Sequence, residues 1–327
     1  MRINSRKVHI MKYINELREG DITRDIYLCK QVQSLVAKTG KNYLSITLQD
    51  KTGVLDAKVW DVTSGGIEDF EALDYIYVEG EVTVFQGTLQ LKCRRIRKCR
   101  EEEVDQSDYL PFSRFDIEAM YKKLLEYISE VKEPHLKKLL ESFFVEDEEF
   151  VKIFKKHSAA KSVHHGFVGG LLEHTLSVCS LCKKFSEQYS LLNKDLLITA
   201  ALCHDIGKTK ELSDLPANDY TDDGNLLGHI VIGYEMVGER IAKIEGFPHA
   251  LGSMLRHCIL AHHGEYEFGS PKKPAIAEAI ALHFADNLDA KMETMRELLE
   301  SADYNAEWLG FQRLFESNMR KTVYKED

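Results

Sequence analysis

Five stretches in the second part of this 327-residue chain set histidines or aspartates inside apolar, helix-forming sequence. His174 sits in GGLLEHTLSV, His204 and Asp205 in ITAALCHDIGK, His229 in LLGHIVIGYE, His262 and His263 in ILAHHGE, and Asp286 in ALHFADNLDA. One histidine in such surroundings is ordinarily a satisfied core residue. Five such places need a common explanation, because imidazoles and carboxylates buried without partners are costly, whereas a metal ion satisfies them together. Mixed imidazole and carboxylate ligation with no necessary thiolate suits a hard or borderline divalent ion: Mn first, with Mg, Fe, Co or Zn as the other candidates. A divalent ion held in this way lowers the pKa of a bound water, so a hydrolytic site here requires no nucleophilic side chain.

Two neighbouring features belong to the same chemistry. Lys208, three residues past Asp205, is placed to meet a phosphate oxygen, the plainer alternative being a solvated lysine at a helix end. His164 and His165, before Gly166 and Gly169-Gly170, are further candidates to meet substrate, although histidines beside a glycine turn need no special explanation.

The elements that must position these residues are helices. Adjacent His-Asp and His-His pairs project about a hundred degrees apart within a regular helix. They converge only near helix ends, which is where the following Gly207 and Gly264 put them. Helical periodicity begins before them, with Ile117, Met120, Leu124, Leu125 and Ile128 on one face and Leu136, Leu139, Leu140 and Phe143 on another, and the reading continues as helices to the end of the chain. Cys179 and Cys182 form a C-x-x-C with no second pair to close a zinc ribbon. They read as small residues on a helix face, and all seven cysteines read as reduced thiols.

From Asp21 to Arg100 the period is two. Leu44, Ile46 and Leu48, then Leu55, Ala57 and Val59, then Ile76 and Val78, Val82 and Val84, and finally Leu89, Leu91 and Cys93 alternate with polar or aromatic neighbours. Asp50-Lys51-Thr52-Gly53 and Phe85-Gln86-Gly87 are hairpin signals. About five strands with a helical or irregular stretch near Ile67 to Leu73 fit a small OB-like Greek-key barrel, and an SH3-like barrel fits nearly as well. Glu101-Glu102-Glu103 through Pro111 is a charged, polar break. The fold class is thus a multidomain β plus all-α chain: an OB-like barrel over 1–104, a helical connecting region over 105–155, and an all-helical metal-binding domain over 156–327.

The second face of the strands carries Tyr43, Lys58, Trp60, Phe85, Lys92 and Arg94, with Arg95 in the basic run that ends at Arg100. Aromatic rings among cations are what sequence-tolerant single-strand binding requires, since bases stack while Lys and Arg follow phosphates. The alternative is a capped barrel end beside a solvated edge strand. A net charge of −10 argues at first against nucleic acid. The average hides an asymmetry: residues 1–100 hold 17 Lys and Arg against 13 Asp and Glu, and the remainder 26 against 40. One part is suited to an anion and the other to cations. No apolar run approaches a membrane span or signal-peptide core, so the reading places the chain in the cytoplasm without a membrane partner, and leaves a homo-oligomer open.

The order H…HD…H…HH…D resembles the HD superfamily of metal-dependent phosphohydrolases in its two-metal form. With an OB-like domain in front and the wording GGLLEHT, HDIGK, AHHGE and ADNLDA, the chain is similar over nearly its full length to the YhaM family of bacterial 3′-to-5′ exoribonucleases. The resemblance implies that His174, His204, Asp205 and Asp286 form a first metal site and that Asp205 bridges to a second ion held by His229, His262 and His263. It also implies His204 and Asp205 as catalytic residues with Lys208 beside them, and single-stranded RNA as substrate with single-stranded DNA as the second candidate. HD folds serve several phosphate chemistries, so a nucleotide or cyclic-dinucleotide phosphohydrolase, with the barrel used for assembly, is the alternative. A binding module with a structural metal is the weaker third reading, since there are more ligands than one closed tetrahedron uses.

Overall fold

The alternation resolves into five strands, β1 (Ile22–Val36), β2 (Asn42–Asp50), β3 (Gly53–Val59), β4 (Tyr75–Phe85) and β5 (Thr88–Lys98). The computed structural model of the protein describes residues 11–161, 166–303 and 305–322. The strands close into a barrel in the order β1-β2-β3-β5-β4, antiparallel except where β3 meets β5. This is the OB path, and it sets aside the SH3-like alternative. Strand β1 serves two neighbours: Ile22 to Leu28 pair with β4 and Leu28 to Val36 with β2, with a bulge between Cys29 and Gln31 where the strand bends. Gln86 and Gly87 both have positive φ, as a tight two-residue hairpin turn requires.

Ile46, Leu48, Leu55, Ala57, Val59, Ile76, Val78, Val82, Leu91 and Cys93 fill the barrel, as their alternation predicts. Val84 differs: it is 44% exposed, because the β4–β5 hairpin runs past the end of the barrel. The stretch near Ile67 to Leu73 is irregular, tied to the barrel by a bridge between Ile67 and Ile96.

The chain divides into two compact units between Phe112 and Ser113. This lies later than a division at 104, because residues 105–112 are held by the barrel. Tyr13 and Lys51 bond the Asp108 carboxylate, Gln49 donates to the Tyr109 carbonyl, and the rings of Tyr75 and Tyr109 meet edge to face.

The second unit contains α1 (Ile117–Glu130), α2 (Pro134–Phe144), α3 (Glu148–Lys156), α4 (Gly170–Gln188), α5 (Lys194–Cys203), α6 (Lys208–Glu211), α7 (Asp222–Leu226), α8 (Gly228–Lys243), α9 (His249–Ala261) and α10 (Ala277–Ser301). Asp116, Glu133, Asp147 and Asn193 cap α1, α2, α3 and α5 by accepting from backbone N–H groups of the first turn. Residues of α1 to α3 share one apolar core with the later helices, so 113–155 belongs to this unit and is not a separate connection. Helix α5 is apolar on all sides and buried from Leu196 to Cys203, the pattern of a central helix.

The end of the chain departs from the helical reading. Helix α10 stops at Ser301, and β6 (Trp308–Gln312) and β7 (Ser317–Arg320) form a hairpin. Gly310 at positive φ and Glu316 in the left-handed region break helical continuation there. Among the described residues no helix is long and apolar enough to cross a membrane.

Candidate metal centre

Central helix α5 ends at Cys203, so His204 and Asp205 follow at its C-terminus; α9 ends at Ala261, so His262 and His263 follow at the end of that helix. The buried His174 comes from the first turns of α4, His229 from the start of α8 and Asp286 from α10. The two glycines act differently from each other. Gly264 adopts φ +80°, the left-handed conformation expected after a helix, and a Cβ there would also strike His283. Gly207 has φ −63°, so it is no left-handed stop. It gives room instead: a Cβ at Gly207 would come within 2.0 Å of the His229 carbonyl oxygen.

The other six expected ligands converge around Asp205. His174, His204 and Asp286 offer donor atoms within 4.8 Å of one another, and so do His229, His262 and His263. Asp205 lies between the groups, with Oδ2 3.4 Å from His174 Nε2 and 3.3 Å from His204 Nε2, and Oδ1 3.5 Å from His229 Nε2 and 3.7 Å from His262 Nε2. Each carboxylate oxygen therefore faces one imidazole group. Asp286 Oδ1 is 3.2 Å from His174 Nε2. Lys208 is not a solvated helix-end lysine: its Nζ is 2.7 Å from Asp205 Oδ2, off the direction of a good hydrogen bond, and it lines a cleft of about 710 Å³ with His174, His263 and Asp286.

Burial and charge act together here. Burial alone would raise the pKa of Asp205, but Lys208, His204 and His174 overcome it and hold the carboxyl well below its ordinary value. Burial and the neighbouring His263 and His204 lower the pKa of His262, which keeps its ring neutral and its lone pair available. Both Asp205 oxygens and the Nε2 atoms of His229 and His262 are buried with no hydrogen-bond partner among the described residues. Oδ2 has the Lys208 ammonium beside it, but Oδ1 and the two Nε2 atoms face one another with no such partner among the described residues, which is expensive unless a cation lies between them. The donor set and its orphaned atoms fit divalent metal ions.

On the barrel, cross-strand register puts Ser45 beside Lys58 and Lys58 beside Lys92 on the outer face of β2, β3 and β5. Tyr43 and Trp60 stack at one end of that face, ring centroids 4.7 Å apart, with Trp60 48% exposed. Phe85 is 60% exposed but stands in the β4–β5 hairpin, beside Thr88. Extending the pairing of Asp56 with Gln90 puts Thr88 level with Val54, about 20 Å of strand from Trp60, so the two rings mark opposite ends. Lys58 is bonded to Ser45 and Asp56, and Arg94 to Glu81; Lys92 and Arg95 are exposed and carry no ion pair among the described residues. His164 and His165 lie outside the described residues.

Comparison with known families agrees with both descriptions. Residues 171–291 match the HD domain. Residues 27–98 match the OB-fold nucleic acid binding domain. Among solved structures, the second OB-fold domain of replication protein A from Methanococcus maripaludis is similar at 18% identity, covering 28% of this chain and 97% of that one, with a TM-score of 0.24. A replication protein A heterotrimer bound to ssDNA is similar at 13% identity, over 28% of this chain and 66% of that one, TM-score 0.22. An aspartyl tRNA synthetase from Entamoeba histolytica is similar at 14% identity, over 56% of this chain and 38% of that one, TM-score 0.23.

Within the HD domain, two carboxylates that motif reading passes over orient the histidines. Asp289 Oδ2 lies 2.7 Å from His174 Nδ1, and Glu211 Oε1 lies 2.9 Å from both His229 Nδ1 and the His229 backbone N. Backbone carbonyls do the same elsewhere: Ala201 for His204, Ile259 for His262 and Phe268 for His263, each accepting at 2.7–2.8 Å. With Nδ1–H donated outward, each ring presents Nε2 as an acceptor toward the centre. Asp289 stands three residues after Asp286 on one helix face, a spacing that could have marked it. Glu211 has no such signal, because its place depends on the turn through Gly207.

Proposed function

We propose that the chain is a metal-dependent 3′-to-5′ exoribonuclease that shortens single-stranded RNA to nucleoside monophosphates, with single-stranded DNA as a second substrate. The HD domain is of the metal-dependent phosphohydrolase class and the other unit is a nucleic-acid-binding fold. The observation that carries the reading is the Asp205 carboxylate, buried and without hydrogen-bond partners, with one oxygen toward each of two imidazole groups. The RNA preference and the direction rest on the likeness of the motif wording to the YhaM family.

In this reading His174, His204, Asp205 and Asp286 would hold one ion, and Asp205, His229, His262 and His263 the other. Divalent ions there, when bound, supply Lewis-acid neutralisation of the scissile phosphate and acidify the attacking water. The protein's own part is orientation. Asp289 and Glu211 fix the tautomers of His174 and His229, and Lys208 offers an ammonium at the cleft to a non-bridging phosphate oxygen. On the barrel, Trp60 and Tyr43 supply a stacking surface, and Lys92 and Arg95 follow phosphates.

The test is incubation of Mn-loaded protein with 5′-end-labelled single-stranded RNA and DNA of equal sequence. A ladder shortening from the 3′ end, faster on RNA, is the expected result. Intact strands together with hydrolysis of mononucleotides or cyclic dinucleotides would overturn the proposal in favour of a nucleotide phosphohydrolase.

A further inference from the structure

Helix α10 brings more to the cleft than Asp286. His283, Asn287 and Lys291, successive at four-residue spacing and so about 6 Å apart along the axis, line the same cleft as Lys208, His174 and Asp286. Lys291 is half-buried and has no ion pair or hydrogen bond among the described residues. Among other half-buried lysines of this unit, Lys155 pairs with Glu118, Lys183 and Lys194 with Glu130 and Lys208 with Asp205, whereas Lys137, like Lys291, has no ion pair among the described residues but does not line the cleft. An ammonium partly withdrawn from water without a counter-ion is unfavourable until an anion completes it. Asn287, one turn before it, likewise offers an amide without a partner among the described residues. Phe268, 57% exposed, and Phe315 in the C-terminal hairpin put aromatic rings into the same lining.

We propose, building on the phosphodiesterase reading above, that Lys291 binds the phosphate next to the scissile one, so that the cleft engages a strand over at least two consecutive phosphates along α10. Asn287 contacts the nucleotide between them, and Phe268 and Phe315 offer their rings to its base. This row of cation and amide distinguishes a strand from an ester with a single phosphate, because only a strand carries the second anion.

The deciding comparison is Lys291→Gln and Lys291→Arg against the unaltered protein, on a short end-labelled RNA and on bis-p-nitrophenyl phosphate. The glutamine variant is expected to raise KM for RNA roughly tenfold or more, the range for losing a charged hydrogen bond. It should leave hydrolysis of the small ester unchanged, and arginine should restore most of the loss. Binding gives a readout independent of turnover. For a strand with phosphorothioate terminal linkages, followed by fluorescence anisotropy, the slope of log Kd against log salt should shrink by about 0.7. Equal losses on both substrates, or no loss on either, overturn the role of Lys291 while strand cleavage by the unaltered protein stands. An unaltered protein that cleaves the ester but no strand overturns the exonuclease reading and this inference with it.

Discussion

Removing the Asp205 carboxylate takes a donor from both imidazole groups at once, and among the described residues no other carboxylate comes within 4 Å of a histidine of each group. Asp205→Ala is therefore expected to bind neither ion tightly and to lose hydrolysis, with the fold retained; elemental analysis and circular dichroism check the two parts. Near-normal turnover in a metal-analysed Asp205→Ala protein would remove the HD chemistry from this chain. His229 belongs to one group only, so His229→Ala should keep one ion and lose the other. Asp289 acts through His174, and Asp289→Ala should weaken metal affinity or activity by roughly ten- to a hundredfold, the usual cost of losing a partner that orients a ligand. All seven candidate ligand residues stand out in the sequence, because each interrupts an apolar run. Their orienting partners are less legible: Asp289 is marked only by its spacing from Asp286, carbonyls carry no sequence identity, and Glu211 reads as one more charge in KTKE.

At the scale of elements, the contact between the α6 turn and α8 decides whether His229 reaches Asp205. Gly207→Ala would force the His229 backbone away, since the added Cβ would lie 2.0 Å from its carbonyl oxygen and 2.7 Å from the Gly233 N. We expect a lower Tm and a loss of the second ion in this variant. Gly238 on the same helix is the control: its added Cβ would meet only Arg256 at 3.7 Å, so Gly238→Ala should be neutral or stabilising by up to about 1 kcal/mol. If both variants melt alike, the close approach at Gly207 is not what limits that residue. Periodicity revealed where helices and strands run, but a terminal glycine reads the same whether it supplies a left-handed turn, as Gly264 does, or clearance, as Gly207 does. The C-terminal hairpin escaped for a related reason. Five- and four-residue strands are too short for a period to emerge, and their pairing is set by contacts that a linear pattern does not contain.

Across the whole molecule, the sequence is uneven in charge, with 17 Lys and Arg against 13 Asp and Glu over residues 1–100 and 26 against 40 over the remainder. If the barrel binds strand, its contribution should depend on substrate length, because a minimal ester has no base to stack and no second phosphate. Trp60→Ala is expected to weaken binding of single-stranded RNA by roughly an order of magnitude, stacking being worth about 1–3 kcal/mol per base, and to leave bis-p-nitrophenyl phosphate hydrolysis unchanged. The cations divide by their partners. Arg94 is already paired with Glu81, and Lys58 with Asp56, so neutralising either releases a carboxylate as well as removing a cation. Lys92 and Arg95 have no such partner among the described residues, and each substitution by glutamine should reduce the slope of log Kd against log salt by about 0.7. Arg94→Gln should change that slope less, because the Glu81 it frees repels phosphate at any position the strand then takes. Equal effects of all three substitutions, or equal losses on strand and ester with Trp60→Ala, would mean that the barrel face does not follow the strand and that its rings and cations serve the fold of the first unit alone.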